Sequence, residues 1–403
     1  MTIDLHPSAT ALLPGIPVAG LAAAPPPHRL LAAGTLLLAH CVPGRTVRLS
    51  EHQHMWGVLG RPTATDLITA AERMRLLGAG GAGFPTATKL RAMSGTKQGP
   101  VVVNGSEGES ASGKDTVLLT HVPHLVLDGA VATARALGSR AIIVRIPAAR
   151  RHVLSIVQAA IAERDEPGLK ITVSPGADTF IAGEASAVVS SLQGGPALPI
   201  PAGKPPTLRK AAVMLSNVET FARLALAARG LTAGSSLLTV SGAVANPGVL
   251  EVPPSTTIGA VLRSAGADER LGALITGGWH GSWLPATDDI LSLSANRDSL
   301  RAVGAHFGAG ALIALPTDPC PVDVLLAVTD YLLAEGAGQC GPCVLGMAAA
   351  RRDLLHSEPV RDRVARRGLC AHPTATIAAL QSGQRLLAAE LAVHAEGRFE
   401  VTR

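Results

Sequence analysis

The residues with the most chemistry in their spacing lie near the end of the chain. Cys340-Gly341-Pro342-Cys343 is a C-x-x-C pair, and Cys370-Ala371-His372 adds a third thiol and an imidazole after 26 intervening residues. Thiolates are soft ligands, and three of them suit an iron–sulfur cluster or a zinc ion. The gap before Cys370 is longer than a zinc ribbon uses, yet zinc on three Cys and His372 stays open. Buried thiols without a ligand are the plainer alternative, which the C-x-x-C disfavours. Five cysteines, three of them crowded together, argue against a disulfide framework and for a reducing compartment.

Further upstream, Gly78-Ala79-Gly80-Gly81-Ala82-Gly83 satisfies G-x-G-x-x-G. A dinucleotide fingerprint follows a strand and opens a helix; this loop follows a predicted helix, so that reading fails on context. Four glycines in six residues, then Phe84-Pro85-Thr86, still exceed what a turn needs. Bare backbone lets a flat ligand come close. Gly108 to Asp115 misses a Walker A loop at its last position, where Asp115 replaces the magnesium-binding hydroxyl, and nucleotide hydrolysis is rejected. Asn104, Glu107 and Glu109 lie just past a predicted strand end, where open α/β sheets bind ligands. Asn217 is a good N-cap for an apolar helix whose free N–H groups favour an anion. There is no G-x-S-x-G, H-E-x-x-H or EF-hand loop, so hydrolase chemistry has no support.

These residues need elements to hold them. Periodicity predicts a helix opened by Thr63 and Asp66 and stopped by Gly78, then a strand at 101–103. A helix at 121–137 closed by Gly138, a strand at 141–146, a helix at 149–163 and a strand at 171–173 follow. Such alternation predicts a parallel sheet covered by helices, up to about residue 230. Beyond it, 237–244, the turn Asn246-Pro247-Gly248 and 249–252 predict a hairpin, followed by a helix at 256–264 and a strand at 273–275. From about residue 320 the chain reads as helical again. The 403 residues suffice for two or three domains, and 47% hydrophobic with 16% charged residues fits a folded, soluble α/β protein. Only 2% are aromatic and the net charge of +5 forms no basic stripe, so no nucleic-acid partner is expected. No apolar run reaches the ~18 residues of a membrane helix, and the start lacks a signal peptide's pattern, so a cytoplasmic location is expected.

Together the segments resemble the flavin-binding F subunit of NADH:quinone oxidoreductase (respiratory complex I) and related diaphorase subunits, from about residue 63 to the end. The family's G-R-G-G-A-G-F-P-T-G-x-K-W is similar to 78–90, and its N-A-D-E-x-E-P-G-x-x-K-D to 104–115. G-E-E-T-A-L is similar to 183–188, N-N-V-E-T to 216–220 and S-G-x-V-x-N-P-G to 241–248. E-S-C-G-x-C-x-P-C is similar to 335–343, and C-A-H is Cys370-Ala371-His372. Residues 1–62, Pro-rich and irregular or helical, read as a leader; the resemblance implies a Rossmann-like FMN/NADH-binding α/β domain at 63–230, a β-grasp ligand-binding module at 231–294 and a helical iron–sulfur domain at 295–403. It implies FMN held at Gly78, Gly80, Gly81, Lys89, Asn104, Ser106, Glu107, Gly183, Glu184, Asn217 and Thr220. NAD(P)H would stack near Phe84 and meet Glu109, with Lys204 nearby. A [4Fe–4S] or [3Fe–4S] cluster would sit on Cys340, Cys343 and Cys370, with His372 as a candidate fourth ligand. Hydride transfer by a cofactor needs no acid–base machinery, so no catalytic side chain is expected. Only six lysines stand against 29 arginines, yet Lys89, Lys114 and Lys204 fall at family motif positions. The implied partner is a ferredoxin-like or [2Fe–2S] protein, within a complex peripheral to the inner face of a membrane.

Several family positions differ. The glycine-loop Arg is Ala79, and Ser106, Ala185 and Ser216 replace polar residues. Ala92 and Thr207 replace aromatics that would clamp a nucleotide, and the first cluster cysteine is Ala337. Two alternatives follow: an electron-transfer subunit without nicotinamide binding, or a non-catalytic scaffold. Cys41 and Cys320 are expected to be buried thiols outside the cluster.

Overall fold

The computed structural model describes residues 29–395, except 33, 35, 40, 202–206, 209–210, 232–233, 268–270, 318–319, 357, 363 and 365. Lys204 and half of the expected leader lie outside the described residues. Helix α1 (Leu49–Trp56) precedes α2 (Ala64–Arg73), whose first turn is fixed by a capping box. Thr63 accepts the Asp66 N–H, and Asp66 accepts the Thr63 N–H at 2.8 Å. The expected stop at Gly78 comes earlier, because Arg75 takes a left-handed φ of 46°.

Strands β1 (Gln98–Asn104), β2 (Ala141–Pro147), β3 (Lys170–Gly176) and β5 (Ala211–Asn217) run parallel, and the short edge strand β4 (Thr207–Leu208) is antiparallel to β5. Their order is β3-β2-β1-β5-β4. Val101, Val102 and Val103 are all buried, as a strand covered on both faces requires. Helices α3 (Thr86–Met93), α4 (Lys114–His121), α5 (Pro123–Leu137), α6 (Arg151–Ala162), α7 (Ala185–Leu192) and α8 (Val218–Ala227) belong to this domain. Helix α5 starts with Pro at N1 and ends at Gly138 with φ 74°. A Cβ at its Gly129 would lie 1.8 Å from the Phe221 carbonyl oxygen of α8. Glycine therefore sets the close approach of these two buried helices.

The second sheet contains β6 (Ser236–Gly242), β7 (Gly248–Val252), β8 (Leu271–Thr276), β9 (Ser282–Pro285) and β10 (Ala311–Pro316), in the order β7-β6-β10-β8-β9. Its first and last strands, β6 and β10, are parallel neighbours, with β7 antiparallel to β6 on one side and the β8–β9 pair antiparallel to β10 on the other. This is the order expected of a β-grasp module. The expected boundary at 294 falls short, because the central strand comes from residues 311–316. Helices α9 (Ile258–Ser264), α10 (Asp288–Ser292) and α11 (Arg297–Ala302) precede that strand.

The last segment contains α12 (Pro321–Ala334), a π-helical turn at Pro342–Gly346, α13 (Met347–Leu355), α14 (His372–Leu386) and α15 (Ala388–Ala395). One face of the second sheet shares a core with it, where Ile275, Trp283 and Ile313 meet Leu325, Leu332 and Ile377. The described part of the leader meets later elements. Helix α1 joins α5 through His52 Nε2 and Asp128, 2.7 Å apart, and the N–H groups of Leu36, Leu37 and Leu38 donate to Glu251 of β7 at 3.1 Å. Among the described residues no single helix is long and apolar enough to cross a membrane; α4 and α5 pass only as a pair bent by 95°, and they are core helices.

Candidate functional site

Strands β1 and β5 end side by side, with Asn104 and Asn217 in register. Chain order runs outward from β1 to β2 and β3 on one side, while β5 flanks β1 on the other. The crevice between their carboxyl ends is therefore the sheet's switch point, the place where open α/β sheets bind ligands. Three further segments close on it. The glycine loop folds back on itself through Gly78 N–H and the Phe84 carbonyl (2.8 Å), and its Ala79 N–H donates to Thr220 Oγ1 (3.0 Å). A Cβ on Gly80 would lie 3.6 Å from Asn217 Cβ, while Gly81 at φ 100° faces open space. The Asn104 amide donates to the Gly183 carbonyl (2.8 Å) and accepts the Ser106 N–H (3.2 Å). Asn217 caps α8 by accepting the Glu219 N–H (2.9 Å), and Glu184 caps α7 through the N–H groups of Ser186 and Ala187 (2.8 and 3.0 Å). Lys89 donates to the Leu215 carbonyl at 2.8 Å, and burial holds its pKa below the ordinary lysine value. Phe84 leaves half of its surface exposed at the mouth of the loop (50%).

Two acidic residues beyond β1 behave differently from each other. Glu107 sits at a left-handed φ of 40°, and its carboxylate accepts the N–H groups of Asp115 (2.7 Å) and Thr116 (3.0 Å) and pairs with Arg150 (3.0 Å). Its carboxylate is thus engaged at the start of α4. Glu109 accepts N–H groups from Ala111 (3.1 Å) and Trp279 (2.9 Å), the latter from the second sheet's domain. Burial nevertheless raises its pKa to about 7 against those two hydrogen bonds. Lys114 bridges Asp115 (2.7 Å), Asn217 (3.1 Å) and Glu219 (3.2 Å); burial alone would lower its pKa, but those carboxylates and Glu107 lift it.

The thiols gather at the other side of the same wall. Gly338 N–H lies 3.3 Å from Cys343 Sγ. The Cys370 pKa is raised, chiefly by burial and further by Glu184, Cys343 and Cys340 around it. His372 is buried; its Nε2 sits 2.8 Å from the Leu332 carbonyl and its Nδ1 has no partner. The four candidate ligands do not form a set whose ligand atoms all lie within 4.8 Å, the convergence that Cys320, Asp323 and His394 do reach. The sequence reading missed Phe180, which joins the two regions. Its N–H donates to Glu335 at the head of the cysteine segment (2.8 Å), and its ring lies 5.5 Å from that of His372 and 4.8 Å from that of His280. Arg297 was also missed: its Nη1 lies 2.9 Å from where a Gly83 Cβ would stand. Neither had a local signal, since each partner is remote in sequence.

Residues 71–226 match the family model described as the Nuo51 FMN-binding domain. The chain is 27% identical over 323 residues to an F subunit of NADH-quinone oxidoreductase from Rhizobium meliloti, covering 72% of this chain and 76% of the relative. The chain is thus similar to F subunits of this kind, at a distance. A second relative is the NADP-reducing hydrogenase subunit HndC of Solidesulfovibrio fructosivorans, 28% identical over 318 residues. That match covers 70% of this chain and 64% of the relative. A solved NAD+-reducing [NiFe]-hydrogenase in the air-oxidized state superposes with a TM-score of 0.73 at 26% identity, over 83% of this chain and 64% of that one. This chain thus spans just under two thirds of the hydrogenase chains it matches.

Proposed function

We infer that this chain is an FMN-binding, NAD(P)H-oxidising electron-transfer subunit that carries an iron–sulfur cluster on Cys340, Cys343 and Cys370. The observation that carries the reading is the shared wall. The switch-point crevice and the thiols meet through Phe180 and Glu335, 2.8 Å apart. The residues present fit the flavin. Glycines 78, 80 and 81 leave bare backbone beside Asn104, Asn217 and Gly183. FMN, when bound, supplies hydride acceptance and one-electron return. The chain's part is to hold and orient. Lys89 supplies a desolvated ammonium at the end of β5, and the start of α8 offers N–H groups to a phosphate. Arg297, facing Gly83, adds a charge where the glycine loop has Ala79. The exposed Phe84 ring would receive a nicotinamide.

Three thiols and no Cys at 337 suit a [3Fe–4S] cluster, or a [4Fe–4S] cluster with a fourth ligand that is not Cys. His372 is the candidate for that ligand, buried with Nδ1 unpartnered among the described residues. A ferredoxin-like or [2Fe–2S] partner within a larger redox complex, peripheral to the membrane through its partners, agrees with relatives named as subunits. A second reading, a carrier without nicotinamide binding, is favoured by Ala92 and Thr207, both exposed and small. An anaerobic absorption spectrum of the FMN- and iron-reconstituted protein separates them. Bleaching by NADH is the expected result. Bleaching only by dithionite favours the second reading, and no bound flavin would sink both.

A further inference from the structure

We propose that Cys320, Asp323 and His394 form a binding site for a single zinc-class cation, separate from the redox centres. Cys320 is the N-cap of α12 and Asp323 lies three residues on, so both occupy the first turn of that helix. His394 comes from α15, which is anchored by the buried Leu391. The three ligand atoms all lie within 4.8 Å of one another, with His394 Nε2 and Asp323 Oδ1 3.8 Å apart. Tetrahedral Zn2+ with bonds of 2.0–2.3 Å has ligands about 3.3–3.8 Å apart, so a small inward movement suffices. Sulfur, nitrogen and carboxylate oxygen together select a d-block ion over Mg2+ or Ca2+, which avoid thiolate. Asp323 is exposed and the other two are half-buried, leaving the fourth position to water.

The site does not overlap the cluster. Helix α12 has 14 residues, so about 21 Å of helix separates Cys320 from the cysteine segment at 1.5 Å per residue. Cys320 is half-buried, where a fully buried thiol was expected, whereas Cys41 is buried and its thiol is pushed up to about 12, chiefly by burial. The ion would tie the last described helix to the junction between β10 and α12, where the second sheet passes into the helical segment.

The test uses the full-length protein loaded with flavin and iron. Alkylation of each cysteine by iodoacetamide is followed by peptide mass spectrometry with and without one equivalent of Zn2+, and zinc and iron are counted after dialysis. One zinc per chain and at least tenfold slower alkylation of Cys320 are expected. In His394→Ala and Asp323→Asn both effects should vanish while iron content stays unchanged. Asp323 is exposed, so its variant does not disturb the core, and retained iron reports the fold; in a preparation without iron, the thermal melt does so. Cys320 alkylated equally fast with and without Zn2+, or zinc retained by both variants, would overturn the site.

Discussion

Glu109 is a carboxyl group held where its charge is disfavoured. A folded pKa raised to about 7 makes its contribution to stability complete below the ordinary carboxylate range, near pH 4.5, and lost as pH rises toward 7. Glu109→Gln removes that titration. The variant's melting temperature should therefore fall less than the native protein's between pH 5 and 8, and an unchanged slope would refute the assignment. Arg297 makes a second residue-scale case. A guanidinium beside Gly83 can meet a phosphate through charge-assisted hydrogen bonds. Arg297→Ala should raise the Kd for FMN about tenfold, the effect of one charge-assisted hydrogen bond, and leave riboflavin binding unchanged. Fluorescence quenching titrations read both. Equal loss for the two ligands would mean that Arg297 only supports the loop.

At the scale of elements, α1 is held by charge inside the core. Burial alone would raise the Asp128 pKa, yet His52, Arg164 and Arg229 hold it well below the carboxylate range. Such a contribution is present above about pH 4 and lost as pH falls below it. Asp128→Asn should cost about 3–5 kcal/mol in urea unfolding at pH 7, because it leaves buried cations uncompensated. The gap to the native protein should narrow at pH 3. The same pair shows what could be read beforehand. Thr63 with Asp66, Gly138 and the 236–252 hairpin act through neighbours a few residues away, so their signals were in the sequence. His52 and Asp128 stand 76 residues apart, and β10 enters the centre of a sheet begun at 236. No periodicity reports partners that distant. The candidate site divides likewise: the motif residues converge at one crevice, but the inward turn of Glu107 depends on Arg150, 43 residues on.

Across the whole molecule, the arrangement that matters is the contact between the first domain and the cysteine segment. Phe180 lies three residues before Gly183, and its ring packs edge-on to those of His280 and Tyr331, with centroids 4.8 and 6.3 Å apart. Ser110 extends the junction, accepting from Trp279 Nε1 at 2.9 Å and meeting the Tyr331 hydroxyl at 3.1 Å. Burial and His372 push the His280 pKa down to about 3, so the aromatic packing stays uncharged at neutral pH. A packed junction of this kind would fix the spacing of the two electron carriers proposed above. Phe180→Ala should loosen that spacing while sparing the glycine loop and the thiols themselves. In rapid mixing with NADH, flavin bleaching should keep its native rate, and the later bleaching of the iron–sulfur absorption should slow at least tenfold at unchanged iron content. Slowing of both phases would place Phe180 in the flavin site itself, and slowing of neither would mean that electrons leave the crevice by another wall.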